Sequence, residues 1–171
     1  MTTKTRHTLM LGALLLLSGG VHAADAEGLV GYWRTIDDRT GFARGVVHIQ
    51  QARDGSYVGV PVMAMPRPGY TPKEFCVDCP PPYTGKRIMG LTVLTGLRAA
   101  DTPNQYVDGR LLDPLSGRIY RCKAKLSPDG RRLTMRGYVG VSMLGRSQSW
   151  IRETDPQVLE EARQAEAALR P

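Results

Sequence analysis

Residues 119–126 read Ile-Tyr-Arg-Cys-Lys-Ala-Lys-Leu, and this stretch decides the fold class. Tyr120, Cys122, Ala124 and Leu126 share one face, while Ile119, Arg121, Lys123 and Lys125 share the other. Period two with apolar residues on one side and cations on the other is a β-strand with one wet face. The turn Ser127-Pro128-Asp129-Gly130 then sends the chain back. It returns with Leu133, Met135, Gly137 and Val139 on one side and Thr134, Arg136 and Tyr138 on the other.

Outward from this hairpin the same alternation recurs. Gly45–Gln50 and Tyr57–Val60 flank Arg53-Asp54-Gly55, a hairpin with an Asp-Gly turn. Further strands are expected near Gly31–Thr35, Ile88–Leu94, Tyr106–Leu112 and Gln148–Arg152. That makes about seven or eight in one antiparallel order, each half apolar. The expected fold is all-β, an antiparallel meander closing into a small barrel, because closure removes the sheet edges. Met63–Lys86 stands apart: it holds six of the twelve prolines together with Cys76 and Cys79, and is expected as a long ordered loop.

The two ends of the chain differ from this middle. Lys4, Arg6 and His7 precede an apolar run from Leu9 to Leu17, and small residues lead to Ala23. This is the pattern of a signal peptide over residues 1–23, cleaved near Ala23, which predicts a periplasmic or secreted protein. The run is too short for a transmembrane span, and no other stretch is long enough. Losing Lys4 and Arg6 lowers the formal net charge from +7 to +5. The barrel domain is expected over residues 24–152. Beyond it, Thr154 or Asp155 caps a short C-terminal helix or tail within 153–171, with Pro156 in its first turn. Val158, Leu159, Ala162, Ala165, Ala168 and Leu169 give that helix a thin apolar face.

Export makes a disulfide the expected state of the cysteines. Cys76, Cys79 and Cys122 allow one bond, either within the C-x-x-C pair or from one of its members to Cys122. The latter would tie the loop to a central strand. Pro80, Pro81 and Pro82 follow the pair, so no helix N-terminus is there to activate a thiol for redox chemistry. A zinc site would need a fourth ligand, and His48 is the one histidine left after cleavage, so no metal is expected.

No catalytic cluster emerges either. No serine occupies a nucleophile elbow for His48 to serve, and Asp37 and Asp38, as neighbours in a strand, would point opposite ways. No cofactor motif is present. Arginines such as Arg98, Arg110, Arg118, Arg121, Arg131 and Arg132 are scattered without a ladder of aromatics, which argues against nucleic acid. An anionic envelope or membrane surface is the better electrostatic partner. Asp113-Pro114 with Ser116-Gly117 reads first as a turn. If the chain carries a polar ligand site, its candidates are Asp113, Tyr120, Arg136, Tyr138 and Arg146, with an arginine facing a carboxylate or phosphate.

Several blocks together carry a family resemblance. They are Trp33 with Asp37 four residues on; Leu112-Asp113-Pro114 with Gly117 and Tyr120; Arg136-Gly137-Tyr138 with Gly140; and Gly145-Arg146 with Trp150 and Arg152. In this order they resemble the DUF2147 family of exported bacterial proteins, over roughly residues 29–152. The resemblance implies no established enzymatic activity to carry over. Gly31-x-Trp33 is also similar to the opening of lipocalins. That resemblance implies a lipocalin-like barrel in which Trp33 closes one end and Arg152, after Trp150, packs across it, with Arg146 as the alternative. Two functions follow as expectations. One is a non-enzymatic barrel binding a small apolar or amphipathic ligand in a cavity lined by residues such as Tyr120, Ala124 and Met135. The other is an envelope structural or protein-interaction module with a solidly packed barrel and an exposed patch around Tyr70, Phe75 and Tyr83.

Overall fold

The computed structural model describes residues 28–170. Eight strands run in chain order: β1 (Gly31–Ile36), β2 (Ala43–Gln51), β3 (Tyr57–Ala64), β4 (Leu94–Ala99), β5 (Gln105–Asp113), β6 (Arg118–Leu126), β7 (Arg132–Tyr138) and β8 (Arg146–Arg152). Each pairs antiparallel with the next, and β8 returns to β1 through Trp33–Arg152, Arg34–Ile151 and Thr35–Trp150. The barrel is closed, as expected from the alternation. A helix, α1 (Pro156–Ala168), follows β8. Asp155 caps it by accepting from the backbone N–H groups of Gln157 and Val158, with Pro156 next in line. The signal peptide expected over residues 1–23 lies outside the described residues.

Alternate residues of the strands fill the interior. Trp33, Ile49, Leu94, Leu97, Cys122, Ala124, Leu126, Leu133, Met135 and Trp150 form one buried cluster. Trp33 is wholly buried, donates its indole N–H to the Leu29 carbonyl at 2.9 Å, and carries the Arg152 guanidinium 4.4 Å from its ring. Arg152 also donates to the carbonyls of Gly28, Val30 and Gly130. One arginine thus ties the entry to β1 and the β6–β7 turn over the tryptophan, sealing that end.

One expected strand is displaced. Residues 88–93 do not extend β4, which begins at Leu94. Gly90 turns at φ +85° and donates to the Pro61 carbonyl, so the chain cannot keep its pleat there. Ile88, Leu91 and Val93 instead bury against Cys76, Cys79 and Leu112. The proline-rich loop therefore carries its own small core on the outer face of β5. Its close packing is visible at Gly117, where an added Cβ would lie 1.9 Å from the Asp78 carbonyl oxygen.

The structure also selects among the cysteine pairings. Cys76 is bonded to Cys79, within the loop. Cys122 is free and buried inside the barrel, on the other side of the wall. A bond from the loop to Cys122, the pairing that would have pinned loop to strand, is therefore not formed. Burial alone pushes the Cys122 thiol up to about 12.

Candidate functional site

The antiparallel order collects four connections at the end opposite Trp33. These are the β1–β2 turn, the long β3–β4 loop, the β5–β6 turn and the β7–β8 turn. Between them a cavity of about 490 Å³ descends into the barrel. Val47, Met135 and Trp150 line it from the core, Leu111 and Tyr120 from the walls, and Gly137 leaves its stretch of β7 without a side chain. The solidly packed alternative required no cavity, and the structure has one. Ala124, expected in its lining, packs instead in the sealed half.

Polar groups occur at two levels. Inside, Tyr120, Gln148 and Trp150 line the space. The Trp150 indole N–H is fully buried and has no hydrogen-bond partner among the described residues. A buried donor left without an acceptor is costly unless something else supplies one. At the mouth stand Asp38, Arg39, Arg44, Lys73, Asp113 and Arg146. Arg146 donates to Asp38, and Lys73 lies 3.6 Å from Asp78. Arg44 donates to Asp37, which also accepts from the backbone N–H groups of Arg39 and Thr40. Burial alone would raise the Asp37 carboxyl, but the Arg44 guanidinium and these N–H groups hold it well below the usual carboxylate range. Arg39 forms no ion pair among the described residues.

Of the residues singled out from sequence, Asp113, Tyr120 and Arg146 line the cavity. Asp113 caps its own turn, accepting from the Leu115 N–H at 3.0 Å and the Ser116 hydroxyl at 2.7 Å. Arg136 and Tyr138 do not reach the cavity. They point outward from β7, where Arg136 donates to the Ser142 and Met143 carbonyls and the Ser147 hydroxyl, and Tyr138 lies under Arg121. Trp150 was legible only as structural, and Gln148 not at all. Period two from Trp150 puts both on the interior face, which is the signal that finds them. The exposed patch expected around Tyr70, Phe75 and Tyr83 is only Phe75, since the other two are half-buried. Among the described residues no group of three or more His, Cys, Asp or Glu is arranged to hold a metal ion.

The architecture is similar to the solved structure of protein HP1028 from Helicobacter pylori, which belongs to the lipocalin family. The two agree with a TM-score of 0.64 at 15% identity, over 84% of this chain and 98% of that one. At this identity the likeness is one of fold. No curated sequence matches the chain significantly. The family model described as "uncharacterized protein conserved in bacteria (DUF2147)" matches residues 31–152, from the first residue of β1 to the last of β8. Those are the strands that build the barrel and its cavity, and the chain belongs to the DUF2147 family.

Proposed function

We propose that the barrel is a non-enzymatic binding protein for one small amphipathic molecule. Its apolar part would rest on Met135 and Val47, and its acidic head would lie at the mouth near Arg39 and Arg146. The observation that carries this reading is the cavity itself, about 490 Å³ with an apolar floor and an unmatched indole donor at Trp150. Sites for small molecules combine such a volume, roughly 300–1,000 Å³, with a few polar groups that set orientation. We further propose that the protein acts in the periplasm or is secreted, as a barrel domain over residues 24–152 and a tail over 153–171. The basic, apolar and small-residue pattern before Ala23 supports this, and an oxidised Cys76–Cys79 pair suits such a compartment.

The test is a native mass spectrum of the protein taken from its own host without detergent. A retained mass that leaves on denaturation is expected. Trp150→Phe keeps the ring and removes the donor, so it should weaken retention about fivefold, the worth of one hydrogen bond. A bare chain in every preparation would overturn the reading in favour of an envelope-interaction role.

A further inference from the structure

The β7–β8 turn holds four of the nine exposed large apolar side chains among the described residues. Val139 is 70% exposed, Val141 61%, Met143 86% and Leu144 84%. Apolar residues scattered singly on a surface are ordinary, but four within one turn are not. The turn is also held in place. Arg136 donates to the Ser142 carbonyl at 2.8 Å and the Met143 carbonyl at 2.9 Å, and Lys123 donates to the Ser142 hydroxyl at 3.2 Å. The backbone closes as a short 3₁₀ turn over Ser142–Leu144.

The three strands nearest this tip carry one sign of charge along their whole length. Strand β6 has four Lys or Arg residues, β7 two and β8 two, and none of the three has an Asp or Glu; of these, Lys125, Arg132 and Arg152 lie toward the Trp33 end. Arg121 pairs in register with Tyr138 and Lys123 with Arg136, so these cations form a collar at the base of the turn. In the neighbouring β1–β2 turn, joined to this one by the Arg146–Asp38 ion pair, Phe42 is 59% exposed and has the Arg67 guanidinium 4.7 Å from its ring. The pairing of apolar tip and cation therefore occurs on two adjacent turns of the same opening.

We propose that this end of the barrel docks on a bilayer surface bearing anionic headgroups. Val139, Val141, Met143 and Leu144 enter the boundary between headgroups and acyl chains, and Arg121 and Lys123 hold the anions. The chemistry favours lipid over protein. Four side chains on one narrow turn fall far short of the roughly 800 Å² per partner that a stable protein interface buries. Shallow insertion with a basic collar is, by contrast, a sufficient interfacial anchor. Docked this way, the cavity mouth faces the bilayer, because Arg146 lines the mouth at the end of the same turn. The docking itself does not depend on what the cavity holds.

Vesicle flotation of the full chain, as its host cell processes it, tests the proposal. Wild type should float with vesicles of phosphatidylcholine and phosphatidylglycerol and much less with phosphatidylcholine alone. Met143→Glu with Leu144→Glu should reduce binding at least about tenfold, and Arg121→Gln or Lys123→Gln about fivefold each. Thermal melts of the variants should match wild type, and if the double variant unfolds, Arg121→Gln carries the test. Wild type that does not float, or floats equally with both vesicle types, overturns the proposal. So do variants that float like wild type, which would put binding elsewhere on the chain. A dimer in solution that the double variant dissociates would show that a second copy covers the turn, and would overturn it too.

Discussion

Asp37 and Asp38 are neighbours in sequence, yet the turn after β1 gives each its own arginine. Asp38 receives Arg146 at the mouth, while Asp37 is buried and receives Arg44. The strand reading, in which the two carboxylates point opposite ways, missed that β1 ends at Ile36 and that Asp37 closes a turn. The pH consequence follows from the direction of the Asp37 shift. Its folded carboxyl titrates below its unfolded value of about 3.9, so its contribution to stability is complete above that value. It is lost as pH falls through the folded value. The urea midpoints of wild type and Asp37→Asn should therefore differ at pH 6, and the gap should begin to narrow below about pH 4 and go on narrowing as pH falls further. A gap that persists unchanged to pH 2 would assign the effect of Asp37→Asn to packing instead. Cys122 shows the other side of residue-scale reading. Period two placed it on the face of Tyr120 and Leu126, and it is buried there. Its failure to pair was not legible, because that depends on which side of the wall the loop carrying Cys76 and Cys79 takes.

Helix α1 was legible in its cap and its thin apolar face, and illegible in what holds it. Among helix residues only Ala162 is fully buried, packed with Val46 and Val62 on the outside of the barrel. Val60, Met63, Met65 and Val158 pack around that contact. A polar clasp adds to it: Tyr32 donates its hydroxyl to Glu166 at 2.7 Å, and the His48 Nδ1 lies 2.9 Å from the same carboxylate. Tyr32 and His48 stack with centroids 4.2 Å apart, so β1 and β2 present one platform to the helix. Burial, then the bond to Glu166, pushes the Tyr32 hydroxyl up to about 12, so it stays a donor at any physiological pH. No periodicity reveals such a clasp, because its members are more than a hundred residues apart. Glu166→Ala should speed amide exchange across Pro156–Ala168 about tenfold, while the strands stay protected, since losing part-buried hydrogen bonds costs about 1–3 kcal/mol. Unchanged exchange would show that apolar contact alone suffices. Loss of strand protection would make the helix part of the barrel's cooperative unit. The displaced strand at residues 88–93 has the same cause at the level of elements: Ile88, Leu91 and Val93 satisfy an apolar pattern, but their side chains pack with Cys76 and Cys79 of the loop against Leu112 of β5.

The whole molecule divides its work between its two ends, and the division follows from how the meander closes. One end joins β8 to β1 through Trp33 and Arg152, and there the interior is filled. The other end gathers the loops, and there the interior is hollow. The seal was legible from Gly31-x-Trp33 and a late arginine, a few residues acting through local packing. The cavity was legible as one of two alternatives, with Tyr120 and Met135 in its lining, but its mouth and volume were not, because they depend on how four separate connections stand around the opening. Stability should therefore reside at the Trp33 end and be nearly indifferent to the exposed turn at the mouth. Trp33→Ala removes a wholly buried indole and the surface on which Arg152 rests, and should cost about 3–5 kcal/mol in urea unfolding. Leu144→Ser changes a side chain that is 84% exposed and should stay within about 0.5 kcal/mol of wild type. The contrast matters more than either number. If Leu144→Ser cost as much as a core substitution, the turn would be packed in solution, and its apolar side chains would serve the fold. If it costs nothing, the barrel maintains four exposed apolar side chains at its mouth with no structural return, and the reason for them lies outside the chain.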